Sequence, residues 1–298
     1  MNPGKNSEDF SYPRVEPWNF GGLDNQDYKT AKVVVFPVPY DSTTYYMGGT
    51  KQGPFALINA SRHMELFDLE KGKDISTVGI FTLEPLEPSK NSPEETIGRV
   101  EEVLTKVVQD NKFPLMLGGE HSITLGAVRA MHKKYGADFS VVHFDAHTDL
   151  RNEFQGTRFH HGSVMRRTTE LGIPVTHMGI RSVSEEEMEY LKGKGKEENF
   201  VFYAERKHTL EEMVSTLKEN VYITVDVDVL DSSVMPATGT PEPGGLTWYQ
   251  IIDAVRAIAA KKKIIGADVV ELAPIPGMVA PDFLAAKLAY KIIGFALA

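Results

Sequence analysis

Three short segments carry the residues best able to do chemistry. The first is Asp145-Ala146-His147-Thr148-Asp149, directly after the apolar run Phe139 to Phe144, which reads as a strand. If the backbone stays extended, residues two apart share a face, so Asp145, His147 and Asp149 converge. Three such side chains at a strand's carboxyl end are unfavourable unless something offsets their charge, and a divalent metal does so. The competing reading is a polar loop whose Asp side chains cap backbone groups. The second segment, Thr224-Val225-Asp226-Val227-Asp228-Val229, puts two carboxylates on one face of an apolar strand. A core strand does not bury two unpaired carboxylates. A sheet-edge strand is the alternative, and the flanking Val, Ile and Tyr argue against it. The third, Gly118-Gly119-Glu120-His121-Ser122, lies where a strand hands over to a helix. Alone it reads as a tight turn with Ser122 as cap and a bystander His.

Together the three are more specific than any one. All fall at expected strand carboxyl ends, where open parallel α/β sheets form ligand sites. The combined set is His121, Asp145, His147, Asp149, Asp226 and Asp228. Its four carboxylates offset two divalent cations charge for charge. Imidazoles mixed with carboxylates suit borderline-to-hard ions, with Mn²⁺ the best match. Two such ions share carboxylates and a water, and they acidify that water to a nucleophile at neutral pH.

These motifs resemble those of the ureohydrolase family, the arginases, agmatinases and their relatives. The resemblance runs from about Val33 to the C-terminus. It implies a three-layer αβα sandwich with a mostly parallel central sheet. It also implies two manganese ions per subunit and hydrolysis of a guanidino group to urea and an amine. A metal-bridging hydroxide would attack the guanidinium carbon. By the same resemblance His121 binds one ion and His147 the other, Asp145 and Asp226 bridge, Asp149 serves the first ion and Asp228 the second. Asp149 would also orient the hydroxide. Glu271 would hold the guanidinium, and a planar cation does suit a bidentate carboxylate. His161 would relay a proton to the leaving amine, a task that fits an imidazole near neutral pH. A homo-oligomer, trimer or hexamer, is implied by the family alone.

The substrate's tail is read from residues beyond Asp149. Arginases typically carry an Asn two positions after that Asp, and this chain has Arg151, which counts against arginine as substrate. Asp149-Leu-Arg-Asn-Glu and Val164-Met165-Arg166-Arg167 are similar to agmatinase-type sequences. The expected reaction is agmatine to putrescine and urea, in polyamine synthesis. Aminopropylagmatine, guanidinobutyrate and arginine are the alternatives. More distant ones are a deacetylase-type amide hydrolase with one zinc and a non-enzymatic relative, both disfavoured by the complete ligand set. Glu153, Phe154 and the Tyr40 to Gly49 loop are expected to receive the cationic tail, with Arg151 and His160 nearby. Thr238 to Gly245 reads as a stiff loop shaping the pocket wall. His143 reads as a hydrogen-bonded neighbour of the ligands. His63, His132, His177 and His208 have no evident partners, and Glu185-Glu186-Glu187 reads as a solvated helix end.

These residues need a frame. Strand patterns alternate with helix patterns of a dozen or so residues, which argues for a parallel sheet covered on both faces. Strands are expected at 33–36, ended by Pro37 and Pro39, and at 114–117, 139–144, 175–180, 200–203, 221–227 and 264–271. Ser92-Pro93-Glu94-Glu95 reads as a capping box opening a helix. Residues 122–135, 248–260 and 283–298 read as further helices. Residues 1–30 read as an irregular arm that Trp18 and Phe20 anchor, and 31–298 as one domain. The 298 residues hold 32 Lys and Arg against 41 Asp and Glu, a net charge of −9. That argues against nucleic-acid backbone binding and a polybasic membrane contact. Without cysteine there is no disulfide and no thiolate ligand or nucleophile. No signal peptide or apolar span is evident, so cytoplasmic residence is expected.

Overall fold

Val33-Val34-Val35 opens the first strand of the computed structural model, which describes residues 13–205 and 208–298. In chain order the elements are β1 (Val33–Val38), α1 (Gly53–Ser61), the two-residue β2 (Phe67–Asp68) and β3 (Lys73–Asp74), and β4 (Ile80–Thr82). Next come α2 (Pro93–Gln109), β5 (Phe113–Gly118), α3 (Thr124–Tyr135), β6 (Ser140–Phe144), α4 (Val164–Thr169) and β7 (Val175–Ile180). Then follow α5 (Glu185–Lys192), β8 (Asn199–Tyr203), α6 (Leu210–Ser215), β9 (Asn220–Asp226), α7 (Trp248–Lys261), β10 (Lys263–Val270) and α8 (Ala280–Leu297).

Eight strands form one sheet in the order β4-β1-β5-β10-β9-β6-β7-β8, and every pairing in it is parallel. Side chains alternate between its faces. Val33, Val35, Leu115, Leu117, Val221, Ile223 and Val225 pack with α1, α6, α7 and α8. Val34, Phe36, Met116, Val141 and Tyr222 pack with α2, α3 and the α4–α5 region. The result is a three-layer αβα sandwich with apolar residues on both faces of the sheet. Among the described residues no helix is long and apolar enough to cross a membrane.

Several boundaries differ from expectation for physical reasons. β1 runs through Pro37 to Val38. The Val35 and Pro37 carbonyls point toward the β4 side, to the N–H groups of Leu83 and Leu86. Pro37 therefore lacks its N–H where the β4 ladder, paired only as far as Val35, has already stopped. Ser92 caps α2 by accepting from Glu95 N–H. The Glu95 carboxylate does not close the box, because it binds Ser89 and Asn91 instead. Residues 1–12 of the expected arm lie outside the described residues. From 13 to 32 there is no helix or strand. Phe20 is buried, with its ring 6.5 Å from that of Tyr290, and Trp18 lies 6.0 Å from Phe55.

Candidate metal centre and active site

The four central strands deliver the site. β5 leads to His121, β6 to Asp145, β9 ends on Asp226, and β10 leads to Glu271. Gly119 lets the end of β5 come this close to the loop after β1. A Cβ there would stand 1.9 Å from the Tyr40 carbonyl oxygen, which accepts from Glu120 N–H.

The metal-ligand candidates converge, though not by the expected extended geometry. β6 stops at Phe144, and Asp145 Oδ1 accepts from His147 N–H at 2.5 Å, so the backbone turns. Asp149 then takes a left-handed conformation, φ +54°. β9 stops at Asp226, whose carboxylate caps a 3-10 turn holding Asp228. Short Asx turns, rather than strand pleat, aim these side chains. His121 Nδ1 lies 3.1 Å from Asp145, 3.3 Å from Asp149 and 3.5 Å from Asp226. His147 Nδ1 lies 3.0 Å from Asp228 and 3.4 Å from Asp145. Two groups with metal-ligand spacing result, His121, His143, Asp145 and Asp149 in one and Asp145, His147 and Asp228 in the other, with Asp145 in both and Asp226 at the edge of the first.

The donor set fits divalent cations. His121 Nε2 stands 2.8 Å from Thr224 Oγ1, which itself donates to Asp268 Oδ1 at 2.5 Å. Thr224 has used its proton, so it accepts from Nε2–H. Nε2 thus carries a proton, and Nδ1 is the nitrogen turned toward the three carboxylates. His121 Nδ1 and Asp228 Oδ2 are buried without a hydrogen-bond partner. Such crowding needs a cation. Burial pushes Asp149, Asp226 and Asp228 above the usual carboxylate range, and Asp145 raises all three further. Burial alone would lower His147, but Asp228 and Asp145 push it up to about 12. Protons relieve the repulsion in the absence of metal, and divalent ions relieve it with more charge.

Around the cluster lies a cavity of about 350 Å³. Glu271 lines it in a left-handed conformation, φ +64°, and its Oε1 accepts from the His121 N–H at 2.7 Å. Left-handed backbone is unfavourable for side chains without special reason, and it marks two site carboxylates here. His161 Nδ1 is 3.5 Å from Glu271 Oε1. Burial lowers the His161 pKa, yet Glu271 and the carboxylates beyond it hold it above the ordinary value. His160 is buried in the wall, with Nδ1 accepting from Gly162 N–H. Burial, with His161 and Arg151 near, lowers it to about 3. Arg151 lines the cavity with its guanidinium over the Phe154 ring, and Phe154 meets Tyr45 edge-on at 5.4 Å.

Glu153 corrects the expectation for the tail. It is exposed and does not line the cavity, because its neighbours Arg151 and Phe154 turn inward. Glu242, in the loop expected only to shape the wall, lines it instead. Glu187 is a second correction. It is buried, accepts from Thr148 Oγ1 and Leu150 N–H, and closes a capping box with Ser184. It thereby fastens the Asp145–Asp149 turn to α5. His177 does have partners. Its Nδ1 faces His143 Nδ1 at 2.9 Å and its Nε2 faces Asn199 at 2.9 Å, while His143 Nε2 meets Asp145 at 2.7 Å. Glu120, Thr224 and Asp268 were not singled out from sequence. Glu120 is fully buried and holds Thr43 and Ser122, and Thr43 Oγ1 accepts from the His161 N–H.

The Arginase family model matches residues 31–294. The N(1)-aminopropylagmatine ureohydrolase of Synechocystis sp. is 39% identical over 279 residues, covering 90% of each chain. The agmatinase of Pyrococcus horikoshii is 34% identical, covering 91% of this chain and 94% of its own. The crystal structure of agmatine ureohydrolase of Thermoplasma volcanium superimposes with a TM-score of 0.84 at 33% identity, covering 97% and 95%. With its sheet order, its carboxylate-rich centre at the ends of four central strands and these relatives, the chain belongs to the arginase family and is an agmatinase-like ureohydrolase.

Proposed function

We propose that the protein is a two-manganese enzyme that hydrolyses the guanidino group of an amine-tailed substrate, N(1)-aminopropylagmatine ahead of agmatine. The observation that supports the guanidine end is Glu271, a buried carboxylate fixed beside the ligand His121 and within reach of His161. Relatives bearing the aminopropylagmatine name reach 39% identity, against 34% for agmatinase, which favours the longer amine. Agmatine, with putrescine as product, is the second reading. Either reaction belongs to polyamine synthesis.

In this reading His121 and Asp149 would hold one ion and His147 and Asp228 the other, with Asp145 and Asp226 available to both. When bound, the two ions supply the Lewis acidity that makes water nucleophilic at neutral pH. Glu271 accepts the guanidinium N–H groups and fixes the carbon in place. Asp149 orients the attacking water, and His161 carries a proton to the amine that leaves. Residues 31–298 act as one unit, with residues 13–30 as an irregular arm against it. The protein works in the cytoplasm as a homo-oligomer, trimer or hexamer, a state that light scattering tests. The decisive assay is urea release with Mn²⁺ from aminopropylagmatine, agmatine, arginine and guanidinobutyrate at equal concentration. The longer amine leads if the reading holds. Arginine or guanidinobutyrate in front overturns the amine tail, and no urea from any overturns the activity.

A further inference from the structure

Five carboxylates line the cavity: Asp149, Glu187, Asp226, Glu242 and Glu271. Four are engaged. Asp149 and Asp226 face His121, Glu271 accepts from the His121 N–H, and both Glu187 oxygens accept hydrogen bonds from Thr148, Leu150 and Ser184. Glu242 differs. Among the described residues its side chain makes no hydrogen bond, and its ion-pair contact is His147 Nε2 at a loose 3.8 Å.

Its backbone, by contrast, is fixed. Arg181 Nη2 donates to the Glu242 carbonyl at 2.9 Å and to the Asp228 carbonyl at 2.6 Å, and Arg181 Nε donates to the Pro243 carbonyl at 3.0 Å. Asp231 accepts from the N–H groups of Gly244 and Gly245. The loop is thus fastened to the turn that carries Asp228, while the carboxylate head lines the cavity without a hydrogen-bond partner among the described residues. Tyr45 and Phe154 give the same cavity aromatic walls suited to methylene groups and to a cation.

We propose that Glu242 receives an ammonium group of the substrate's tail and so sets the preference for amine-tailed guanidines. This rests on the ureohydrolase reading above. Glu242 does not touch the reacting carbon, so it acts on affinity and selectivity. A charge-assisted hydrogen bond in a partly dry cavity is worth roughly tenfold or more in kcat/KM.

The test compares Mn²⁺-loaded wild type with Glu242→Gln on agmatine, aminopropylagmatine and pentylguanidine, which replaces the agmatine ammonium with a methyl group. Expected is a fall of about tenfold or more in kcat/KM for both amines, carried mainly by KM, with pentylguanidine within about twofold. Equal losses on all three mean that Glu242 acts through His147, and this overturns the proposal. Unchanged values for the amines overturn it too. Calorimetric binding of agmatine and pentylguanidine to the metal-free protein is a readout without turnover. Wild type should favour agmatine and Glu242→Gln should lose that preference, whereas equal binding of the two by wild type counts against Glu242. If wild type releases no urea from either amine, it is the ureohydrolase reading that has failed.

Discussion

Thr224 Oγ1 stands 2.8 Å from His121 Nε2 and donates its hydroxyl hydrogen bond to Asp268, so a buried carboxylate two steps away selects which nitrogen of His121 faces the cluster. Partners of this kind typically change metal affinity by 10–100-fold, on the order of 2 kcal/mol. Thr224→Val should weaken Mn²⁺ binding by about that factor, and Thr224→Ser should restore it. Calorimetric titration with Mn²⁺ decides. Equal affinity in Thr224→Val and wild type refutes the orienting role.

Asp228→Asn keeps an oxygen for the Ala146 N–H, now 2.9 Å away, but removes a charge facing His147. It should lower metal content toward one ion per chain, and urea release should fall with it. Wild type should also gain about 2.7 kcal/mol of stability at free Mn²⁺ of about 100 times Kd, and this variant less. Elemental analysis and thermal melts are the checks. Two ions and full activity in Asp228→Asn would falsify the two-metal centre.

Glu271→Gln retains an oxygen for the His121 N–H and loses the charge that would face a guanidinium. Activity should drop by about 10–100-fold with metal content unchanged. Steady-state kinetics beside elemental analysis separates this from a ligand defect. Loss of metal together with activity would instead make Glu271 a structural support of His121.

Away from the site, Asp68 meets Lys291 at 2.8 Å and accepts from the N–H groups of Glu70 and Lys71. Burial raises its pKa, but Lys291 and those N–H groups outweigh burial and leave it below the ordinary value. A folded pKa below the unfolded one gives stability that is present above about pH 4 and lost as pH falls through the folded value. Asp68→Asn should be less stable than wild type at pH 7, and the gap should narrow as pH falls below about 4. Denaturant titrations across pH 3–7 measure it, and a constant gap removes Asp68 from the account.

The ligand motifs were legible because each sits where an apolar run stops, so the charged residues stand out against their neighbours. Their supports were not. Asp268, Thr224, His143 and His177 lie in one row across β10, β9, β6 and β7, paired by strand register. Register pairs His143 with Thr224, 81 positions apart, and no local pattern reports it. Glu242 does not stand out in the sequence because its segment predicts a stiff turn, while its placement comes from Arg181, distant in sequence. Glu153 misled for the opposite reason. Proximity in sequence to Asp149 does not fix which way a loop residue turns. The strand order itself, with β9 and β10 inserted between β5 and β6, has no sequence signature.

That insertion has a consequence for biogenesis. A chain halted before residue 220 already carries His121, Asp145, His147 and Asp149, yet it lacks both strands that hold β5 and β6 apart. Three inter-strand spacings separate those two strands in the finished sheet, about 14 Å. The ends of β5 and β6 can face each other at the right distance only after the last two strands have slotted in. The candidate ligand set is therefore complete, and correctly spaced, only once residues 220–270 have been made and placed.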